Sequence, residues 1–270
     1  MTGAPGAPER QRRWLMPEPD RSLPVRLFSF PHAGAGAGSY RTWVEPLRTS
    51  GVAVCSVQLP GRETRFGEPP YTRLEPLLDA LVPALAPYLD VPFALFGHSL
   101  GALLAFALTH ALRAHGLPQP LELHVSGRVA PQRTDPDRRL HELSERELVA
   151  ELRALGGLPR AVLDDPGLLA LQLKVLRADL AINETHGYAP EPPLDVPITA
   201  WAGAADPVAD EPSMRAWAQQ TRRRFRARTL PGGHFFVSTA SGELLALLAA
   251  DLQVAHAGLG SGRAAVGSAA

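Results

Sequence analysis

Cysteine is almost missing from this chain. Cys55 is the only one in 270 residues. That excludes an internal disulfide framework and a cysteine-rich zinc site. Lysine is equally scarce: Lys174 stands alone, and the other basic residues are arginines. With alanine, proline and glycine also abundant, this pattern reads as the bias of a GC-rich coding sequence rather than as phosphate recognition. An excess of one charge is missing too. The 27 basic and 27 acidic side chains cancel, which leaves no basic surplus for a nucleic acid and no polybasic segment for a membrane. No run of about 18 apolar residues occurs, so no spanning helix is expected. The first residues, MTGAPGAPERQRRW, lack the apolar stretch of a signal peptide. A soluble cytoplasmic protein is the expectation, with no metal, nucleic acid or membrane among its partners.

What is present is a core. Apolar residues make up 45% of the chain, normal for a globular protein. Residues 1–22 are rich in proline, glycine and charge without periodicity, and read as a flexible arm. The tail 257–270 reads the same way. Between them, over 23–256, short apolar runs alternate with helical patterns. VRLFSF (25–30), VAVCSVQ (52–58), FALFGH (93–98), LELHVSG (121–127), ITAWAG (198–203) and FRARTL (225–230) predict strands. Several are continuously apolar, as strands buried on both faces of a parallel sheet are. Helices are predicted over 74–89, where Pro76 and Pro83 should shift the start or kink the middle, and over 100–115 and 238–253. The alternation predicts a doubly wound α/β sheet. Residues 131–192 break the rhythm and hold no convincing strand. Ser144 and Glu147 form a capping box that opens one helix ending near Gly156-Gly157, and a leucine-rich helix follows over 166–183. This segment is expected to be a helical lid rather than a plain crossover.

Chemistry concentrates at three places. Gly97-His98-Ser99-Leu100-Gly101 follows a predicted strand and opens a predicted helix. That is the G-x-S-x-G nucleophile elbow in its required context. The turn needs small residues on both sides of the serine and sets its hydroxyl at a helix N-terminus. A serine hydroxyl needs a base. Of nine histidines, His234 lies in PGGHFF, after the last strand and before the last helix. His98, His110 and His115 read as packing or surface residues, His124 belongs to a strand, and His141 and His186 belong to the 131–192 insertion. The acid is expected at the end of the preceding strand, where GAADP supplies Asp206. Asp210 is the competitor, and Pro207, which stiffens the loop, favours Asp206. Two backbone amides are expected to form an oxyanion hole: that of Leu100, after the nucleophile, and that of Ala33, in the loop FPHAGAGAG (30–38). This glycine-rich loop offers a dinucleotide-binding alternative, but it lacks the G-x-G-x-x-G spacing. Cys55 reads as an inert core thiol.

In FPHAGAGAGSY (30–40), QLPGRETR (58–65), FGHSLGALLAF (96–106), SGRVAP (126–131), LGGLP (155–159), LRADLAINETHGY (176–188), GAADP (203–207) and PGGHFF (231–236), the chain resembles the type II thioesterases. These are stand-alone α/β-hydrolases that accompany modular polyketide synthases and nonribosomal peptide synthetases. The resemblance covers roughly 25–252. It implies an α/β-hydrolase fold with a mostly parallel central sheet, flanking helices and a helical lid. It implies hydrolysis of acyl groups from the phosphopantetheine arm of acyl or peptidyl carrier proteins, clearing aberrant or stalled units. By the same resemblance Ser99, Asp206 and His234 take the triad positions and Ala33 and Leu100 the oxyanion hole, with no cofactor beyond the arm that carries the substrate. A general acyl-CoA thioesterase or carboxylesterase, a product-releasing cyclase, and a module that only docks a carrier protein are the alternatives.

Overall fold

The computed structural model describes residues 13–134, 137 and 139–266, with side chains through 259. Seven strands form one sheet: β1 (Leu15–Met16), β2 (Val25–Phe30), β3 (Val52–Val57), β4 (Phe93–His98), β5 (Leu123–Ser126), β6 (Ile198–Gly203) and β7 (Phe225–Leu230). Their order is β1-β3-β2-β4-β5-β6-β7. All neighbours are parallel except β1 against β3. The helices are α1 (Val44–Arg48), α2 (Leu74–Leu85), α3 (Leu100–Ala114), α4 (Glu145–Ala154), α5 (Arg160–Leu163), α6 (Pro166–Thr185), α7 (Glu211–Arg215), α8 (Phe236–Thr239) and α9 (Ser241–Val266). All six predicted strands are present, shortened at Gln58 and at Leu121, Glu122 and Gly127. Pro83 stays inside α2, which tightens into a 3-10 turn at Ala86–Tyr88.

Alternation along the strands builds two cores, one on each face of the sheet. Phe28, Phe30, Cys55, Phe93 and Leu95 face the side covered by α2 and α3. Leu27, Val54, Ala94 and Phe96 face the side covered by Trp43, Leu47 and α9. Burial pushes the Cys55 thiol up to about 12, so it stays protonated and inert at neutral pH.

Two expectations about the ends are corrected. The arm expected to run to residue 22 is already paired at Leu15 and Met16, opposite Val57 and Ser56. Leu15 is buried and the Arg65 guanidinium lies 4.1 Å over the Trp14 ring. A two-residue edge strand is too short for periodicity to show. The tail expected from 257 is helical through Val266 as the end of α9. Residues 1–12 and 267–270 lie outside the described residues.

Glu122, His124 and Asp251 bring potential ligand atoms within 4.8 Å of one another. Arg224 and Thr199 occupy Glu122, while Arg226 and Arg228 occupy Asp251. Trp201 donates to His124 Nδ1 at 3.3 Å. The guanidiniums already balance the carboxylates, so the group reads as an ion-pair network that ties α9 to β7.

Between β5 and β6 the chain leaves the sheet and forms α4, α5 and α6. The Ser144 capping box is formed, with Glu147 reaching back to the Ser144 N–H at 3.0 Å. Leu148, Leu152, Leu173, Leu176 and Leu180 give this segment its own small core, against which Ala33 packs. One buried ion pair pins it to the sheet. Arg62 donates to both oxygens of Asp179 on α6, at 2.5 and 2.8 Å. The Arg62 and Asp179 side chains are 6% and 1% exposed, so removing one partner strands a buried charge. Asp179→Asn should destabilise the fold by about 3–5 kcal/mol. Urea denaturation of the two proteins side by side checks this.

Candidate active site

The site begins with a strained residue. Ser99 joins β4 to α3 with φ 54 and ψ −115. Such a backbone costs a non-glycine residue about 1–3 kcal/mol. Its N–H donates to the Ser126 carbonyl at 2.8 Å, and its own carbonyl accepts from Ala102 at 3.0 Å. The neighbours must be glycine because the turn is so close. A Cβ on Gly97 would come 1.9 Å from the Gly101 carbonyl oxygen, and one on Gly101 would come 2.0 Å from that of Phe30. The strand–turn–helix context therefore lifts the Ser99 side chain above the sheet edge.

His234 reaches the same place from the loop after β7. Asp206, three residues beyond β6, meets it. His234 Nδ1–H donates to the two carboxylate oxygens at 3.0 and 3.1 Å. The Asp206 side chain is fully buried, and one oxygen also accepts from the Val208 N–H at 2.8 Å. The competitor Asp210 is exposed and caps α7, accepting from the Ser213 N–H at 3.0 Å. The structure therefore brings Ser99, His234 and Asp206 together and leaves Asp210 outside. Ser99, His234 and Ala33 line one cavity of ≈ 90 Å³, with Leu152, Leu176 and Leu180 of the helical segment on its far side. Leu100 is the first residue of α3, where amides lack partners within the helix.

Sequence reasoning treated two residues too lightly. His98, set aside as packing, is fully buried with its ring 5.0 Å from that of His234. Its Nδ1 bonds Ser126 Oγ at 3.0 Å. His32 lies 6.0 Å from His98 and 5.0 Å from Phe235. Burial, reinforced by His234, holds His98 well below the usual histidine range. Burial, then His234 and Arg62, brings His32 down to about 4. Both rings are neutral at neutral pH and wall the His234 imidazole without adding charge.

The loop that carries Ala33 is held by side chains far away in sequence. Gly34 N–H donates to Asp179 at 2.7 Å, and Gln172 Nε2 donates to the Gly34 carbonyl at 2.8 Å. Ala37 N–H donates to Gln58 at 3.1 Å. Gly38 N–H donates to Glu63 at 3.1 and 3.2 Å. Glu63 is, with Ser99, one of two described non-glycine residues with positive φ. These carboxylates occupy amides that a dinucleotide pyrophosphate would need, which removes the phosphate-binding alternative. The quoted pieces QLPGRETR and LRADL were the signal that could have pointed to this bracing.

Residues 25–252 match the model of a thioesterase domain family. The chain belongs to the thioesterase family. Linear gramicidin dehydrogenase LgrE of Brevibacillus parabrevis is 40% identical over 92% of this chain and 97% of its own. The name of that relative states another activity, whereas two solved structures similar to this chain are named thioesterases. The RedJ thioesterase of the prodiginine pathway in Streptomyces coelicolor is 43% identical, with a TM-score of 0.81 over 85% of this chain and 91% of its own. The type II thioesterase BorB of the borrelidin cluster is 36% identical, with a TM-score of 0.79 over 88% and 97% of the two chains. Thioester hydrolysis is the activity of the family.

Asparagine at 206 would favour the wrong imidazole tautomer, which in a comparable triad lowers kcat about 10⁴-fold. Asp206→Asn should therefore cripple turnover. Asp210→Asn should leave turnover within a few-fold, since asparagine is also a good helix cap. Steady-state thioester hydrolysis by the two variants checks the assignment, and a crippled Asp210→Asn protein would reverse it.

Proposed function

We propose that this chain is a stand-alone type II thioesterase. It hydrolyses acyl groups from the phosphopantetheine arm of acyl or peptidyl carrier proteins and so clears aberrant or stalled units from a polyketide or nonribosomal peptide assembly line. The observation that carries the reading is the His234–Asp206 contact beside a left-handed Ser99, on a chain that belongs to the thioesterase family.

Ser99 is the nucleophile, His234 the base and Asp206 its orienting acid. His234 Nε2 takes the hydroxyl proton as Ser99 Oγ attacks the thioester carbonyl carbon. The Ala33 and Leu100 amides receive the oxyanion, where one such donor is worth about 10²–10³ in rate. As the tetrahedral intermediate collapses, the carbon–sulfur bond breaks and His234 gives its proton to the departing thiolate. A water molecule, deprotonated by His234, then attacks the acyl-serine carbonyl; the bond from that carbon to Ser99 Oγ breaks, His234 returns the proton to Oγ, and the acid leaves. Asp206 holds Nδ1 as the donor throughout, which keeps Nε2 free to move the proton. The scheme needs no resident cofactor, since the arm arrives with the substrate.

The α4–α6 segment acts as a lid. Its leucines close the cavity that holds Ser99 and His234, and apolar walls of this kind suit an acyl chain while excluding water.

Two experiments test the reading. Ser99→Ala removes one oxygen at the elbow, so the variant should fold normally and lose both turnover and labelling by a fluorophosphonate. Normal hydrolysis by a folded Ser99→Ala protein would overturn the nucleophile. For substrate form, kcat/KM should be higher for an acyl group on a carrier protein than for the same group on coenzyme A or cysteamine. The reacting bond is identical in all three, so the difference reads binding remote from it. A clear preference for coenzyme A would make this a general acyl-CoA thioesterase.

A further inference from the structure

Four arginines are buried among the described residues: Arg26, Arg62, Arg65 and Arg128. Three of them hold a carboxylate. Arg26 bonds Asp90, Arg62 bonds Asp179, and Arg65 bonds Glu68. Arg128 holds none. Its Nη1 donates to the neutral Asn183 Oδ1 on α6. Its Nε and Nη2 are buried without any partner. Burial alone pulls this guanidinium down to about 10, so it is charged at neutral pH. A buried unpaired charge is costly, and folding alone gives no return for it at this position.

The position is adjacent to the nucleophile. Arg128 and Ser99 line one cavity of ≈ 200 Å³, together with Arg133, Thr134, Asn183 and Glu184, whose carboxylate is already taken by the Leu140 and His141 amides and the His141 ring. Thr134 Oγ1 is a second buried polar atom there without a partner. The backbone is fixed on both sides: Gly127 turns with φ 57, and the Arg128 carbonyl accepts from Trp217 Nε1 at 2.8 Å. A rigidly mounted guanidinium with two unpartnered nitrogens thus belongs to the wall of a cavity that also takes Ser99. The cavity shared by Ser99 and His234 takes five leucines, Leu140, Leu152, Leu155, Leu176 and Leu180, whereas the Arg128 cavity takes none.

We propose that Arg128 is a substrate-binding residue that recognises an acceptor oxygen lying within a few bonds of the thioester. Two parts of a pantetheine thioester carry such an oxygen. One is the acyl group, through a 3-oxo, 3-hydroxy or peptidyl carbonyl oxygen. The other is the arm, through its amide carbonyl nearest the sulfur. Either supplies the charge-assisted acceptor that the orphaned guanidinium lacks. Arg128 therefore sets selectivity between oxygenated and purely aliphatic substrates, while the leucine-lined side tolerates apolar chain. The inference rests on the thioesterase reading above and adds a specificity determinant to it.

The test uses four small thioesters: butyryl and 3-oxobutyryl groups, each on N-acetylcysteamine and on 1-pentanethiol. For each, kcat/KM is measured for the wild type, Arg128→Met and Asn183→Asp. The wild-type to variant ratio cancels the intrinsic reactivity of each thioester. Losing a hydrogen bond from a charged donor should lower kcat/KM about 10- to 100-fold more for the substrate that carries the recognised oxygen than for its partner without it. A larger loss for 3-oxobutyryl than for butyryl on one thiol assigns the acyl group. A larger loss for N-acetylcysteamine than for pentanethiol with one acyl group assigns the arm. Asn183→Asp leaves the arginine in place but sets a carboxylate on it, so it should reproduce the selective loss even if Arg128→Met folds poorly. Equal ratios across all four substrates in both variants overturn the assignment. Fluorophosphonate labelling of wild-type Ser99 keeps the two readings apart. An unlabelled wild type sinks the thioesterase mechanism, whereas a labelled wild type with flat ratios sinks only the role of Arg128.

Discussion

The contact between Arg62 and Asp179 holds together parts of the site that the sheet alone does not. The sheet delivers Ser99, Asp206 and His234 to one edge, because all three follow parallel strands. It does not fix the Ala33 loop or the segment above it. Asp179 does both at once. One of its oxygens takes the Gly34 amide and an Arg62 nitrogen, and the other takes the second Arg62 nitrogen. Arg62 in turn donates to the Ala35 carbonyl at 3.2 Å. Loop, strand end and α6 therefore share one buried charge pair. A pair of this kind often adds little net stability over well-packed apolar residues. Its consequence here is geometric: the Ala33 loop and the helix above Ser99 move as one body or not at all.

The same economy governs the nucleophile. Ser99 is held in an unfavourable backbone conformation by two hydrogen bonds and by two glycines that have no room for a side chain. The strain is local, while the restraint comes from β2, β5 and α3 together. This is how a half-buried hydroxyl is kept rigid at the end of a buried strand.

Much of this was legible in the sequence because it is local. Most of the predicted strands are apolar runs bounded by turns, and the elbow is five consecutive residues. His234 and Asp206 each follow a strand directly. The choice of Asp206 over Asp210 rested on a neighbouring proline, whereas the structure decides it by orientation: one carboxylate faces the imidazole, and the other turns outward to cap α7. What was not legible depends on distance. Asp179 lies 145 residues from the amide it accepts, and no periodicity reports such a contact. The Leu15–Met16 strand is too short to carry a pattern, and its pairing depends on the exposed edge of β3. Arg128 looks like any other arginine until its burial and its empty donors are seen together.

His98 shows how far packing and chemistry overlap at this edge. It sits between the required Gly97 and Ser99, so its ring enters the core beneath the triad. There it touches Phe235, Phe236 and His234, and a Cβ on Gly127 would come 2.4 Å from it. A protonated ring at that position would oppose the imidazolium that forms on His234 during catalysis. Burial keeps it neutral, so it serves as a wall of the right shape with no electrostatic penalty. His32, packed against His98 and Phe235, is kept neutral in the same way. In the mechanism proposed above, the positive charge on His234 is thus left to the buried Asp206 carboxylate.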